Sequence, residues 1–111
     1  VISLMDSEHE SMRIEKYDLR VGKLEIPVEE LPHYAFHTNS TQISVTVKDD
    51  HEFKGNITLV DTSQNNAEIM FADVGGKKDS CIFTNLISGR LYRIKCSGLE
   101  GCTIIVKESI I

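Results

Sequence analysis

Apolar and polar residues alternate in short runs along most of the chain, with a period of two. Leu24, Ile26 and Val28 alternate with Lys23, Glu25 and Pro27. Ile43, Val45 and Val47 alternate with Gln42, Ser44, Thr46 and Lys48, and Tyr92, Ile94 and Cys96 alternate with Arg93 and Lys95. Successive side chains of a strand point to opposite faces, so each run predicts a strand with one buried face. Shorter runs give the same reading: Met12 and Ile14 with Tyr17 or Leu19, then Tyr34 and Phe36, then Ile57 and Leu59 with Thr58 and Val60 opposite. Ile69 and Phe71 follow, then Cys81 and Phe83 or, on the other face, Ile82 and Leu86, and finally Cys102, Ile104 and Val106. Turn-forming residues separate them, at Gly22, at Glu29-Glu30-Leu31-Pro32, at Asp49-Asp50-His51-Glu52, across the polar cluster 61–66 and at Gly75-Gly76-Lys77-Lys78-Asp79. Pro27 cannot donate to a ladder, which predicts an edge or a bulge for its strand.

The last two runs flank residues 97–101 and predict a hairpin. Pairing Ile94 with Ile104 sets Tyr92 opposite Val106 and Cys96 opposite Cys102, with these six residues on one side. In that register Cys96 and Cys102 serve as a disulfide or as two small buried thiols. Eight or nine strands with no helical period predict an all-β fold, an antiparallel β-sandwich of seven to nine strands, in one domain over residues 12–111. Residues 1–11 lack alternation and mix Asp6, Glu8 and Glu10 with Ser3, Ser7, His9 and Ser11, so a flexible leader is expected there.

Composition sharpens the backbone reading. Thirteen Ile, eight Val and seven Thr stand against three Ala and eight Leu, a β-branched excess that favours strands over helices. The net charge of −5 repels a phosphate backbone and argues against nucleic acid as the main partner. Residues 1–61 hold twelve of the seventeen acidic side chains. No apolar run approaches the ~18 residues of a membrane helix, so no membrane insertion is expected. A first residue other than Met fits removal of an export signal.

Candidate chemistry is sparse. His33 and His37 lie about 13 Å apart on a strand at ~3.3 Å per residue, too far to share an ion. Asp49, Asp50 and Glu52 offer oxygens to calcium but lack the order and glycine of a helix-loop-helix calcium site, and a solvated turn accounts for them more simply. No cofactor is expected. Cys81 has no activating context that would make it a nucleophile beside a histidine, so no catalytic residue is assigned. With no Trp, most of the three Tyr and four Phe are needed inside, which leaves Tyr17 and Tyr34 as candidate surface aromatics for a ligand. Arg93 and Lys95 have the parity opposite to the core residues and are the candidate ligand-binding cations; with Arg90 and Lys107 they could form a basic stripe on the last hairpin. Asn39-Ser40-Thr41 and Asn56-Ile57-Thr58 are glycosylation sequons.

Tyr34-Ala35-Phe36, Ile43-Ser44-Val45-Thr46-Val47, Gly55-Asn56-Ile57-Thr58-Leu59, the segment from Leu86 through Gly89 to Tyr92 and Ile94, and Cys102-Thr103-Ile104-Ile105-Val106 together resemble the bacterial pre-peptidase C-terminal domain, a jelly-roll module of secreted proteins. The resemblance spans residues 22–107. It implies an extracellular or cell-surface, non-catalytic accessory module that binds a protein or carbohydrate ligand. The sequence lacks the Asp-rich calcium motif and the tryptophans of several relatives. The alternative is a structural or assembly subunit, oligomeric through an uncovered strand edge.

Overall fold

The computed structural model describes residues 14–49 and 52–109. The leader expected at residues 1–11 lies outside the described residues, as do Met12 and two members of the expected acidic turn, Asp50 and His51.

Among the described residues nine strands form where the alternation is found: β1 (Glu15–Asp18), β2 (Leu24–Pro27), β3 (Tyr34–His37), β4 (Ile43–Lys48), β5 (Lys54–Asp61), β6 (Ala67–Gly75), β7 (Ser80–Phe83), β8 (Tyr92–Ser97) and β9 (Thr103–Glu108). Two short 3-10 turns, Val28–His33 and Thr62–Gln64, complete the described elements. A five-stranded sheet in the order β1-β3-β8-β5-β6 faces a four-stranded sheet in the order β2-β9-β4-β7. Every pairing is antiparallel except β1 with β3. From β2 onward the chain crosses between sheets at almost every connection, and the interleaved orders 2-9-4-7 and 3-8-5-6 are those of a jelly roll, with β1 added at one edge. The expected fold class stands.

The expected final hairpin does not form. β8 pairs with β3 and β5, β9 pairs with β2 and β4, and Ile104 meets Ile26 and Val47 instead of Ile94. The connection after β8 carries the chain from one sheet to the other. Gly98 turns it with a φ of 78°, where a Cβ would come within 2.7 Å of Lys54 O, and Gly101 follows with a φ of 84°. Between them Leu99 is plugged into the core. The parity reading nonetheless holds, because Tyr92 and Ile94 of one sheet and Ile104 and Val106 of the other are all buried, facing each other across the sandwich. Two antiparallel strands can share an inward parity without being neighbours.

Ile43, Val45, Ile57, Leu59, Ile104 and Val106 fill the space between the sheets, and Phe36 and Tyr92 meet with ring centroids 6.3 Å apart. Tyr92 Oη accepts a hydrogen bond from Ile87 N at 2.8 Å, so its polar tip is satisfied inside. Of the two parities open for β7, Cys81 and Phe83 are the buried pair and Ile82 is the exposed one.

Candidate functional site

The outer face of the five-stranded sheet can be read row by row from its register. Ile57 and Leu59 of β5 point into the core, so Asn56, Thr58 and Val60 point outward. Thr58 lies level with Phe71 of β6 on one side and Lys95 of β8 on the other, and residues level across a sheet share a face. Asn56 lies level with Asp73 and Ser97, and Val60 with Glu68 and Arg93. Three rows therefore run across this face. The middle one carries an aromatic ring, a hydroxyl and an ammonium.

Phe71 is 68% exposed. Alternation alone groups it with Ile69 as the apolar side of a strand; the structure instead turns Met70, Ala72 and Val74 inward. The reason lies in β6 itself, where both parities are apolar and size does not say which is buried. The register shift at Leu59/Val60 places one extra residue, Ile69, between Glu68 and Met70, so both Glu68 and Phe71 are brought to the outer face. Two hollows flank Asn56. One of about 350 Å³ is lined by Asn56, Thr58, Glu68, Ile69, Met70 and Phe71; the other, of about 530 Å³, lies beside Asp73, Ser97 and Gly98. Together they make a shallow, mostly polar trough with one bare ring.

Of the residues singled out from sequence, Arg93 and Lys95 are on this face, as their parity required. Lys95 Nζ donates to Glu68 Oε2 at 3.0 Å, an exposed diagonal pair that holds both side chains along the trough. Arg93 is half-buried. Its neighbour in register, Val60, is 2% exposed although it points outward. Its Nε is buried without a hydrogen-bond partner among the described residues. The basic stripe does not form, since Arg90 pairs with Asp61 at 3.0 Å and Lys107, level with Ser44, belongs to the other sheet.

Tyr17 and Tyr34 are placed elsewhere. Both are partly buried and pack against the core, and Tyr17 Oη donates to Lys23 O at 3.1 Å. Cys96 and Cys102 carry free thiols, as does Cys81, and the hairpin that would have apposed the first two is absent. Burial and the nearness of Cys102 and Cys81 push the Cys96 thiol up to about 12. Burial and a hydrogen bond from Cys102 Sγ to Asp49 Oδ2 at 3.2 Å push Cys102 up to about 11. Such thiols are poor nucleophiles at neutral pH. Among the described residues no group of three or more His, Cys, Asp or Glu side chains is placed to hold a metal, and no helix is long and apolar enough to cross a membrane. His33 lies in the first 3-10 turn and His37 ends β3. Asn56 of the second sequon points into the trough from a central strand, while Asn39 is exposed just beyond β3 and accepts from Ser88 Oγ at 3.3 Å.

No protein-family model, curated protein or solved structure matches this chain.

Proposed function

We propose that this domain is a non-catalytic binding module, an exported accessory part of a bacterial protein, and that the trough on its five-stranded sheet takes a carbohydrate chain. The exposed Phe71 ring, level with Thr58 and Lys95, carries the reading. Sugars present an apolar face of C–H groups and a rim of hydroxyls. Phe71 offers a surface for the first, and Asn56, Thr58, Asp73 and the Lys95–Glu68 pair offer donors and acceptors for the second. A protein contact would instead be centred on several apolar anchors. The sequence resemblance to the pre-peptidase C-terminal domain supports the accessory role.

Affinity electrophoresis in gels containing soluble β-glucan, xylan, galactomannan or pectin tests it. Retardation by at least one polysaccharide is expected, and Phe71→Ala abolishes it while migration in the blank gel is unchanged. Normal migration in all four gels, or retardation that survives Phe71→Ala, refutes the reading. The second expectation, an assembly subunit, draws support from a different feature, the long outer edge of β6.

A further inference from the structure

Among the described residues the sandwich has four strand edges, and three of them are blunted. β1 has four residues, of which Glu15, Lys16 and Asp18 are charged; β2 has four and ends in Pro27, with Lys23 and Glu25 paired beside it at 3.0 Å; β7 has four. Short strands, charge and proline are the usual guards against pairing with another chain. β6 differs. It has nine residues, no proline and no lysine, it ends its sheet, and it exposes Ile69 and Phe71.

Its open backbone groups can be identified. Gly75 N donates to Lys78 O at 2.8 Å and Gly75 O accepts from Lys78 N at 3.0 Å, so both groups of Gly75 point away from β5. In an antiparallel strand this orientation recurs at every second residue, and no register shift intervenes between Gly75 and Phe71. The N–H and C=O of Asp73 and Phe71 therefore face outward from the edge, where the sheet has no further strand among the described residues. The turn that engages Gly75 closes one end of this open stretch.

We propose that β6 pairs antiparallel with β6 of a second copy about a two-fold axis at Phe71, joining two five-stranded sheets into one of ten strands. Among axes on the stretch 71–73, which the register shift leaves regular, charge selects the register. An axis at Asp73 would set two carboxylates opposite each other, and an axis at Ala72 would set each carboxylate against a ring. The axis at Phe71 sets Phe71 against Phe71, each exchanging both backbone bonds, and Asp73 against Ile69, with no like charges opposed. It also ends the ladder where the Gly75–Lys78 turn projects, carrying Lys77 and Lys78 of each copy toward the Glu68 end of the other. The contact is the same patch on both copies and closes on itself, so it gives a dimer and no fibre. The two rings become neighbours on one continuous outer face. This inference stands on the edge geometry and does not depend on what the trough binds.

Size-exclusion chromatography with multi-angle light scattering tests it across a hundredfold range of concentration. A species of twice the 12.5 kDa chain mass is expected. Asp73→Pro removes an N–H that faces away from β5, so it spares the β5–β6 ladder and shifts the protein to monomer, with at least tenfold weaker association and an unchanged far-ultraviolet circular dichroism spectrum. Phe71→Lys places two like charges at the axis and is a second route to the same result. A wild-type monomer at all concentrations overturns the proposal, as does a dimer that survives both substitutions or a polymer that grows without closing.

Discussion

Asp61→Ala is expected to cost about 2–3 kcal/mol, far more than a residue in a turn ordinarily would. Asp61 ends β5 and is 1% exposed. Its Oδ1 accepts from Ser63 N at 2.9 Å and from Ser63 Oγ at 2.7 Å, capping the 3-10 turn Thr62–Gln64, while Oδ2 accepts from Arg90 Nη1 at 3.0 Å. Loss of a cap costs about 1 kcal/mol, and loss of a hydrogen bond to a charged group about 1.5–3 kcal/mol. The two losses do not add fully, because Arg90 remains partly exposed and regains water. Burial opposes the Asp61 charge, yet the Ser63 and Arg90 hydrogen bonds prevail and hold its carboxyl below the ordinary value of 3.8. The folded protein thus binds fewer protons here than the unfolded chain. The stabilisation is present above about pH 4 and is lost as pH falls through the lowered value. Urea unfolding followed by circular dichroism reads this as a lower midpoint with unchanged slope, and near pH 7 the melting temperature falls by roughly 10–20 °C for a domain of this size. Asp61→Asn keeps a capping oxygen and loses the charge, so its deficit is smaller and shrinks below pH 4. A change within about 0.5 kcal/mol for Asp61→Ala, or an Asp61→Asn deficit independent of pH, refutes the reasoning.

Ile94→Ala empties a site at the centre of β8 and is expected to cost about 2–5 kcal/mol in the same assay; a cost below about 0.5 kcal/mol would mean that the inward parity of β8 is misassigned. Phe71→Ala, by contrast, is expected to leave stability within about 0.5 kcal/mol, since an exposed ring contributes to binding and little to packing. The raised thiols of Cys81, Cys96 and Cys102 predict slow reaction with Ellman's reagent at pH 8, at least a hundredfold slower than in denaturant, and three equally fast thiols in the native protein would contradict it. Because the folded values lie above the unfolded ones, the thiols' stabilising contribution is complete below about pH 9 and declines as pH rises toward 11–12, which an alkaline urea series measures.

Strand positions and most inward parities were legible in the sequence because alternation encodes them directly: Ile43, Val45 and Val47 are buried and Ser44, Thr46 and Lys48 are outward or more exposed, as written. Partners were not legible. The hairpin register that matched Ile94 with Ile104 satisfied every local rule, yet the Gly98 and Gly101 turns carry the chain to the other sheet. The outward placement of Arg93 and Lys95 was legible from parity alone. Phe71 was missed because β6 has apolar residues at both parities, and the signal that could have found it was Asp73, two residues on and therefore on the same face. Asp61 read as one member of a polar turn; only the tertiary placement of Arg90, twenty-nine residues away, gives it a buried partner.

Amide chemical-shift mapping tests the central claim most directly. The labelled protein is titrated with a short oligosaccharide of the polysaccharide that retards it most. Saturable shifts are expected at Asn56, Thr58, Phe71, Asp73 and Lys95, on the outer face of the five-stranded sheet, with Ser44, Thr46 and Lys107 on the opposite sheet unmoved. Shifts centred on the four-stranded sheet, or none at millimolar ligand, would contradict it.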